Sequence, residues 1–304
     1  MICVKPPKNI SEAVYATVCW FDVFGFAGSC EEIHRYLFFR KATLREVQQV
    51  LEKDKRYSSS FNFYFLKGRN ALVLQRCQQQ YHAGKLWRKV VEKSSIFTRI
   101  PFLKLIAVGN TLAMGWPDSE SDIDLLVVAE SKRLFTTRAL LTFFTHLKRM
   151  RRHGNKITGR FCLSFFLADT ALNLENLKIG KFDPYLAFWL ATLTPTWGNG
   201  IEKLLKANPW VKAYFPNFQR ETKKAKHEKI WLEKILNGKL GDWLEALLRK
   251  HQLKRANAKK QAHYAEKTSV VISPTVLKFH EKDRRREYLE AFEKKLNGKL
   301  AAKR

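Results

Sequence analysis

Apolar residues recur at helical spacing through the first part of the chain. Behind Ser11 as N-cap they predict a helix reaching about Phe24, followed by a glycine turn at Gly25 and Gly28. Ser29 precedes Glu31, Glu32, Ile33, Tyr36 and Leu37, which predicts a short second helix with acid in its first turn. Thr43 opens a third, with Leu44, Val47, Val50 and Leu51 at helical spacing. The period then drops to two. After Tyr57 and a Ser58-Ser59-Ser60 turn, Phe61, Phe63 and Phe65 alternate along a strand that closes at Lys67-Gly68-Arg69. Three helices and a small hairpin are the layout of a winged helix, so residues 1–85 read as one winged-helix-like unit. Such a unit reads equally as a DNA contact or as a helical cap packed on the next domain; winged helices also contact protein, and the third helix carries acid as well as base.

A connecting helix of about Leu72 to Ser95 leads to Pro101. Strand Leu103 to Val108, a glycine turn and strand Asp122 to Ala129 follow. Next come an amphipathic helix from Ser131 to about Arg152, stopped by Gly154-Asn155, and strand Phe161 to Leu167. This alternation predicts an α/β core over residues 86–175. Beyond it, helices are predicted at Tyr185 to Leu193, Ile201 to Ala207, Lys224 to about His263 (broken at Gly238 and Gly241) and Glu281 to Leu296, making residues 176–304 a basic helical region. The overall class is α+β or α/β.

Composition narrows the functional classes. The 304 residues hold 45% hydrophobic side chains, with 22 Phe and 8 Trp, which supports globular cores and excludes a disordered polyelectrolyte. Lys and Arg (56) exceed Asp and Glu (28), and a net +28 favours polyanionic partners such as RNA, DNA or nucleotide triphosphates. The five cysteines (Cys3, Cys19, Cys30, Cys77, Cys162) are scattered, with no C-x-x-C pair, as expected of thiols in a reducing cytoplasm. No signal peptide is apparent at Met1, and the apolar stretches 13–28 and 185–195 are interrupted or short, so no membrane span is expected.

The chemistry lies in Ala107-Val-Gly-Asn-Thr-Leu-Ala-Met-Gly-Trp-Pro-Asp-Ser-Glu-Ser-Asp-Ile-Asp-Leu-Leu-Val-Val128. Residues two apart share a strand face, so Asp122 and Asp124 project together while Ile123, Leu125 and Val127 turn into a core. Two carboxylates held so close repel each other unless a cation lies between them, and oxygen ligands suit Mg²⁺ or Mn²⁺. Ahead of them Gly109 and Gly115 flank a turn whose backbone amides and Thr111 hydroxyl suit a phosphate. The expected chemistry is in-line attack on an α-phosphorus with pyrophosphate leaving.

Thr111-Leu-Ala-Met-Gly115, five residues, then Ser121-Asp-Ile-Asp-Leu-Leu-Val resembles the signature of the DNA polymerase β-like nucleotidyltransferase superfamily, especially its small prokaryotic members. The N-terminal helices, Arg160–Leu167 and Phe279–Arg286 also resemble uncharacterised prokaryotic proteins carrying that domain. The resemblance implies metal at Asp122 and Asp124, with Gly109, Asn110, Thr111 and Ser121 around the triphosphate of an NTP. Two departures stand out. Asn110 occupies a usual glycine position, and Asn tolerates left-handed backbone. Active members also carry a third carboxylate on the next strand, which here reads Phe161-Cys-Leu-Ser-Phe-Phe-Leu167 without acid. Ser164 is the best match to the missing position. Asp169 lies five residues on with opposite parity, roughly 16 Å away along a strand.

Other residues carry open alternatives. Asp118 and Glu120 read as solvated loop acids or ligands, and Ser121 as a phosphate contact or a turn cap. Arg138 and Lys132 read as a solvated face or phosphate clamps, and Trp116 as a stacking platform or an aromatic wedge. His146 and His153 mark only a basic helix end. Two functions follow: a Mg²⁺-dependent enzyme moving a nucleoside monophosphate from NTP to an acceptor hydroxyl, or a non-catalytic nucleotide- or nucleic-acid-binding regulator that keeps the fold.

Overall fold

The computed structural model describes residues 6–220, 231–263, 270–280 and 283–298. The first predicted helix is α1 (Ile10–Val23), and its N-cap is Asn9, whose side chain accepts from Glu12 N; Ser11 lies inside the first turn. Strand β1 (Gly28–Ser29) leads into α2 (Cys30–Arg35), and α3 spans Leu44–Lys53. Ser29 and Thr43 cap these helices as expected, each in a reciprocal capping box with Glu32 and Glu46.

Strands β2 (Tyr57–Ser60) and β3 (Phe63–Leu66) form the hairpin, and β1 adds to its far side in the order β1-β3-β2. Phe61 does not join the strand. It sits in the turn with φ 50 and is 85% exposed. Helix α4 (Ala71–Lys93) then crosses to the second part of the chain through a 3₁₀ turn, Ser94–Arg99.

The centre is a mixed six-stranded sheet. Its strands are β4 (Leu103–Val108), β5 (Ile123–Ala129), β6 (Phe161–Ala168), β7 (Thr194–Gly198), β8 (Val270–Ile272) and β9 (Val276–Phe279), in the order β7-β4-β5-β6-β9-β8. Only β5 and β6 pair in parallel; the other four pairings are antiparallel. The parallel pair is joined by α6 (Leu134–Leu147), which is shorter at both ends than the predicted 131–152.

The predicted helical region therefore supplies both edges of the sheet. Strand β7 contains Pro195, which is tolerated because an edge strand need not donate on its outer side. Strands β8 and β9 form a hairpin whose turn is closed by the Ser273 hydroxyl accepting from Val276 N at 2.9 Å. Helices α7 (Pro184–Thr192), α8 (Ile201–Lys206), α9 (Trp210–Tyr214), α10 (Trp231–Leu236), α11 (Lys239–His263) and α12 (Arg285–Leu296) follow β6 in the chain. Gly238 does break the predicted long helix, whereas Gly241 lies inside α11. Residues 224–230 and Glu281 of the predicted helices lie outside the described residues.

Strand alternation divides the core into two layers. Leu126 and Val128 of β5 pack with Ala13, Trp20 and Phe21 of α1, Phe188 of α7 and Phe292 of α12. Ile123, Leu125 and Val127 pack on the opposite face with Leu134 and Leu141 of α6, Leu86 and Val90 of α4, and Phe97. A strand buried on both faces reads as a nearly continuous apolar run, and within Ile123–Ala129 Asp124 alone interrupts it. The N-terminal helices thus share a core with one face of the sheet.

That layer also holds buried charge with partners. Asp22 of α1, 1% exposed in its side chain, pairs with Arg69 at 2.8 Å and with Lys295 of α12. Asp183 caps α7 by accepting from Leu186 N and is paired with Arg285 of α12 at 2.8 Å. Burying one member of such a pair alone costs several kcal/mol, about 3–5, so these contacts fix where α12 docks.

Candidate functional site

The turn between β4 and β5 is held by its own backbone. Gly109 N donates to the carbonyl of Asp124 at 2.9 Å, and Asn110 enters α5 (Asn110–Met114) with φ 50. Asn is among the few side-chain-bearing residues that enter this left-handed region readily. Gly109 is required for a different reason. A Cβ there would meet Trp189 Nε1 of α7 at 2.9 Å, so the turn lies directly against that indole. Gly115, with φ 91, ends the helix and hands the chain to the 116–121 loop.

Two predicted loop residues have structural roles. Ser121 donates to Asp118 Oδ1 at 2.7 Å, and Asp118 N donates back to Ser121 Oγ at 3.0 Å, so Ser121 closes the loop as a turn cap. Trp116 is the aromatic wedge. It stacks on Phe24 (4.4 Å between centroids, 3°) and on Phe188 (5.6 Å, 9°). Arg76 of α4 braces the same corner, pairing with Glu32 at 2.7 Å and donating to the carbonyl of Gly115 at 3.3 Å.

Asp122 and Asp124 come together as strand parity predicted, and Cys162 of β6 completes a group whose ligand atoms all lie within 4.8 Å of one another. Asp124 pairs directly with Cys162 across the parallel ladder. The next paired residues are Leu126 and Phe165, so β6 uses three steps where β5 uses two. That bulge at Leu163-Ser164 sets which residue neighbours the aspartates. Cys162, two residues before the expected match Ser164, is the β6 residue paired with Asp124 in the ladder. Asp169 lies past the end of β6 and accepts from Ser131 N at 2.8 Å, which removes it from the site.

The electrostatics are those of crowded carboxylates with one guanidinium at their edge. Burial, then the charge of Asp122, pushes the Asp124 carboxyl up to about 6 against hydrogen bonds from Asn110 and Cys162. Burial likewise pushes the Cys162 thiol far up, and Asp124 and Asp122 add to it. Arg152, which follows α6, reaches in from one side with Nη1 2.6 Å from Asp122 Oδ2 and 3.9 Å from Cys162 Sγ. The two carboxylates fit a hard divalent cation, whereas the sulfur fits Mg²⁺ poorly and suits softer ions.

Arg138 is neither solvated nor a phosphate clamp. It lies in the opposite layer, donating to Gln252 of α11 at 2.6 Å and stacking over Phe279 and Phe166. Lys132 is exposed with φ 66 in the turn before α6. His146 and His153 face each other at 5.1 Å.

Sequence reasoning passed over a cavity beside Asn110. It is built by β6, α7, β9 and the start of α12, and has a volume of about 150 Å³. Phe165, Tyr185, Trp189 and Tyr288 wall it, and His280 lines it. It lies on the face of the sheet toward which Asp124 points, since Leu126 and Phe165 share that layer with α7 and α12.

No protein-family model, curated protein or solved structure matches the chain. No helix among the described residues is long and apolar enough to cross a membrane.

Proposed function

We propose that this chain transfers a nucleoside monophosphate from an NTP to an acceptor hydroxyl, using Mg²⁺ or Mn²⁺ held by Asp122 and Asp124. The observation that carries this reading is the convergence of the two carboxylates beside the Gly109–Thr111 turn, where Gly109 N donates to the Asp124 carbonyl at 2.9 Å. A divalent cation bound there would neutralise charge on the phosphates and on the attacking oxygen. The acceptor oxygen forms a bond to the α-phosphorus, the bond to the pyrophosphate oxygen breaks, and the acceptor proton leaves to solvent. Asp122 and Asp124 would each offer the cation a carboxylate oxygen. Gly109, Asn110 and Thr111 line the side where the triphosphate lies, and Ser121 fixes the loop beyond it. The resemblance to polymerase β-like nucleotidyltransferases and the three-helix, hairpin layout of a winged helix agree with this reading. The net +28 favours RNA or DNA as acceptor or partner.

A second reading is favoured by Cys162 and Arg152. Burial holds the Cys162 thiol protonated, so it offers no ready general base beside the pair, and a guanidinium already faces Asp122. Both suit a protein that binds NTP or nucleic acid without turning it over.

One experiment separates them. Purified protein is incubated with each α-labelled NTP, Mg²⁺ or Mn²⁺, and RNA, protein or small-molecule acceptors. Label transfer lost in Asp122→Ala supports the enzyme. Metal–NTP binding without transfer to any acceptor selects the binding protein.

A further inference from the structure

We propose that the cavity between α7, β9 and α12 receives the nucleobase of the NTP, so that the last third of the chain, rather than the metal-bearing turn, selects the nucleotide. This rests on the reading of Asp122 and Asp124 as a metal–triphosphate site and adds to it the place and chemistry of base recognition.

Size decides first. A cavity of about 150 Å³ accommodates one benzene-sized ring, whereas a drug-sized ligand needs ~300 Å³ or more. The space therefore takes one ring system and leaves whatever is attached to it outside. The walls suit such a ring. Phe165 and Trp189 stack at 5.5 Å and 20°, and Tyr185 and Tyr288 at 5.4 Å and 18°, and all four line the cavity. Aromatic faces of this kind take any nucleobase by stacking.

Charge decides second. The cations around the cavity already face carboxylates: Lys278 lies 3.9 Å from Asp283, and Arg285 lies 2.8 Å from Asp183. His280, edge-on to Phe165 at 6.2 Å, is kept neutral by burial, which pulls it down to about 3. A neutral imidazole offers one donor and one acceptor, the complement of a base edge. The lining thus favours an uncharged ring with polar edges over a phosphate.

Position decides third. Asn110 lines the cavity, and Gly109 N, one residue earlier, donates to the Asp124 carbonyl at 2.9 Å, so the cavity adjoins the turn beside the two aspartates. A ring seated in the cavity therefore lies next to that turn, within reach of a phosphate chain held there. A neutral aromatic ring carrying a polyphosphate is a nucleoside triphosphate.

The test uses the full chain in three titrations, each followed by calorimetry. Adenosine, guanosine, cytidine and uridine are titrated without metal; the four NTPs are titrated with Mn²⁺; inorganic tripolyphosphate is titrated with Mn²⁺. At least one nucleoside is expected to bind without metal. Tyr288→Leu is expected to weaken that nucleoside and its NTP by about five- to a hundredfold, the loss of one stacked base, and to leave tripolyphosphate unchanged. His280→Ala, a change at a half-buried ring, is expected to flatten the preference among the four bases, and it stands in if Tyr288→Leu fails to fold.

Nucleoside affinity untouched by either variant overturns the proposal. So does tripolyphosphate binding as tightly as every NTP, or a cavity filled only by the aromatic ring of an acceptor. Nucleosides that bind while neither NTP nor tripolyphosphate gains from Mn²⁺ would support the cavity and sink the metal–triphosphate reading instead.

Discussion

Arg152 Nη1 lies 2.6 Å from Asp122 Oδ2, and the same nitrogen lies 3.9 Å from the Cys162 sulfur. A fixed cation thus faces two of the three groups available to a metal. The arginine side chain is 43% exposed, so its hold on Asp122 is screened and is worth about 1 kcal/mol or less.

Arg152→Gln is accordingly expected to tighten binding of Mn²⁺ or Mg²⁺ in the absence of nucleotide by roughly two- to fivefold, about 0.5–1 kcal/mol. Calorimetric titration of the two proteins measures it. Weaker cation binding in the variant would mean that Arg152 supports the site rather than competes for it.

Asp124 predicts a pH dependence of stability. Its folded-state value of about 6 lies above the ordinary carboxylate value, so the folded protein holds this proton more tightly than the unfolded chain does. Its contribution to stability is greatest below about pH 4, falls as pH rises toward 6, and stays low above it. Without metal, Asp124→Asn should therefore raise Tm at neutral pH, by at most roughly 2–3 kcal/mol of stability. The gain should vanish near pH 4. Thermal melts of both proteins across that range test this, and an equal gain at both ends would rule the carboxylate out as its source.

Cys162→Asp puts a carboxylate on the strand position directly beside Asp124. If nucleotidyl transfer is limited by the missing acid, the variant gains about tenfold or more in transfer rate with Mg²⁺, some 1.4 kcal/mol of barrier. It should also be less stable than the parent without metal, because three carboxylates then crowd one place. Cys162→Ser should share neither change. Initial rates of label transfer and melts with and without Mg²⁺ measure both effects.

Gly109→Ala tests the seat of the turn. The backbone there is extended, with φ −125, so an alanine meets no conformational penalty and collides chiefly with the Trp189 indole at 2.9 Å, with Leu193 Cδ2 next at 3.3 Å. A loss of about 1–3 kcal/mol is expected from overpacking. Trp189→Leu should remove most of the added cost in a double-mutant cycle, read from denaturant melts. Independent, additive losses would place the strain elsewhere.

The aspartate pair was legible because strand parity is a local property: residues 122 and 124 share a face wherever β5 runs. The capping residues Ser29 and Thr43 were legible for the same reason, each needing only its partner three positions on. Cys162 was not, because its place beside Asp124 depends on a bulge between two strands. Nor was the role of residues 194–198, where Pro195 and Gly198 argue locally against a strand and only the edge position permits one. The β8–β9 hairpin left a usable signal, two apolar runs flanking Ser273-Pro274-Thr275. Tyr185 and Trp189 looked like core because α7 is apolar nearly all round, and its turn toward the cavity appears only once α12 docks.

That docking carries a consequence for how the protein is made. Tyr15 in α1 donates to the carbonyl of Lys295, 280 positions away, and Phe292 closes the layer that Trp20 begins. Until α12 leaves the ribosome, the apolar faces of α1 and α7 lack their cover, and β6 lacks β9 on its open side. Folding dominated by such distant pairings is slow and leaves adhesive surface exposed for most of synthesis. Substitutions in α12 should therefore show first as a loss of soluble yield during expression, before any change in the melting point of the protein that survives.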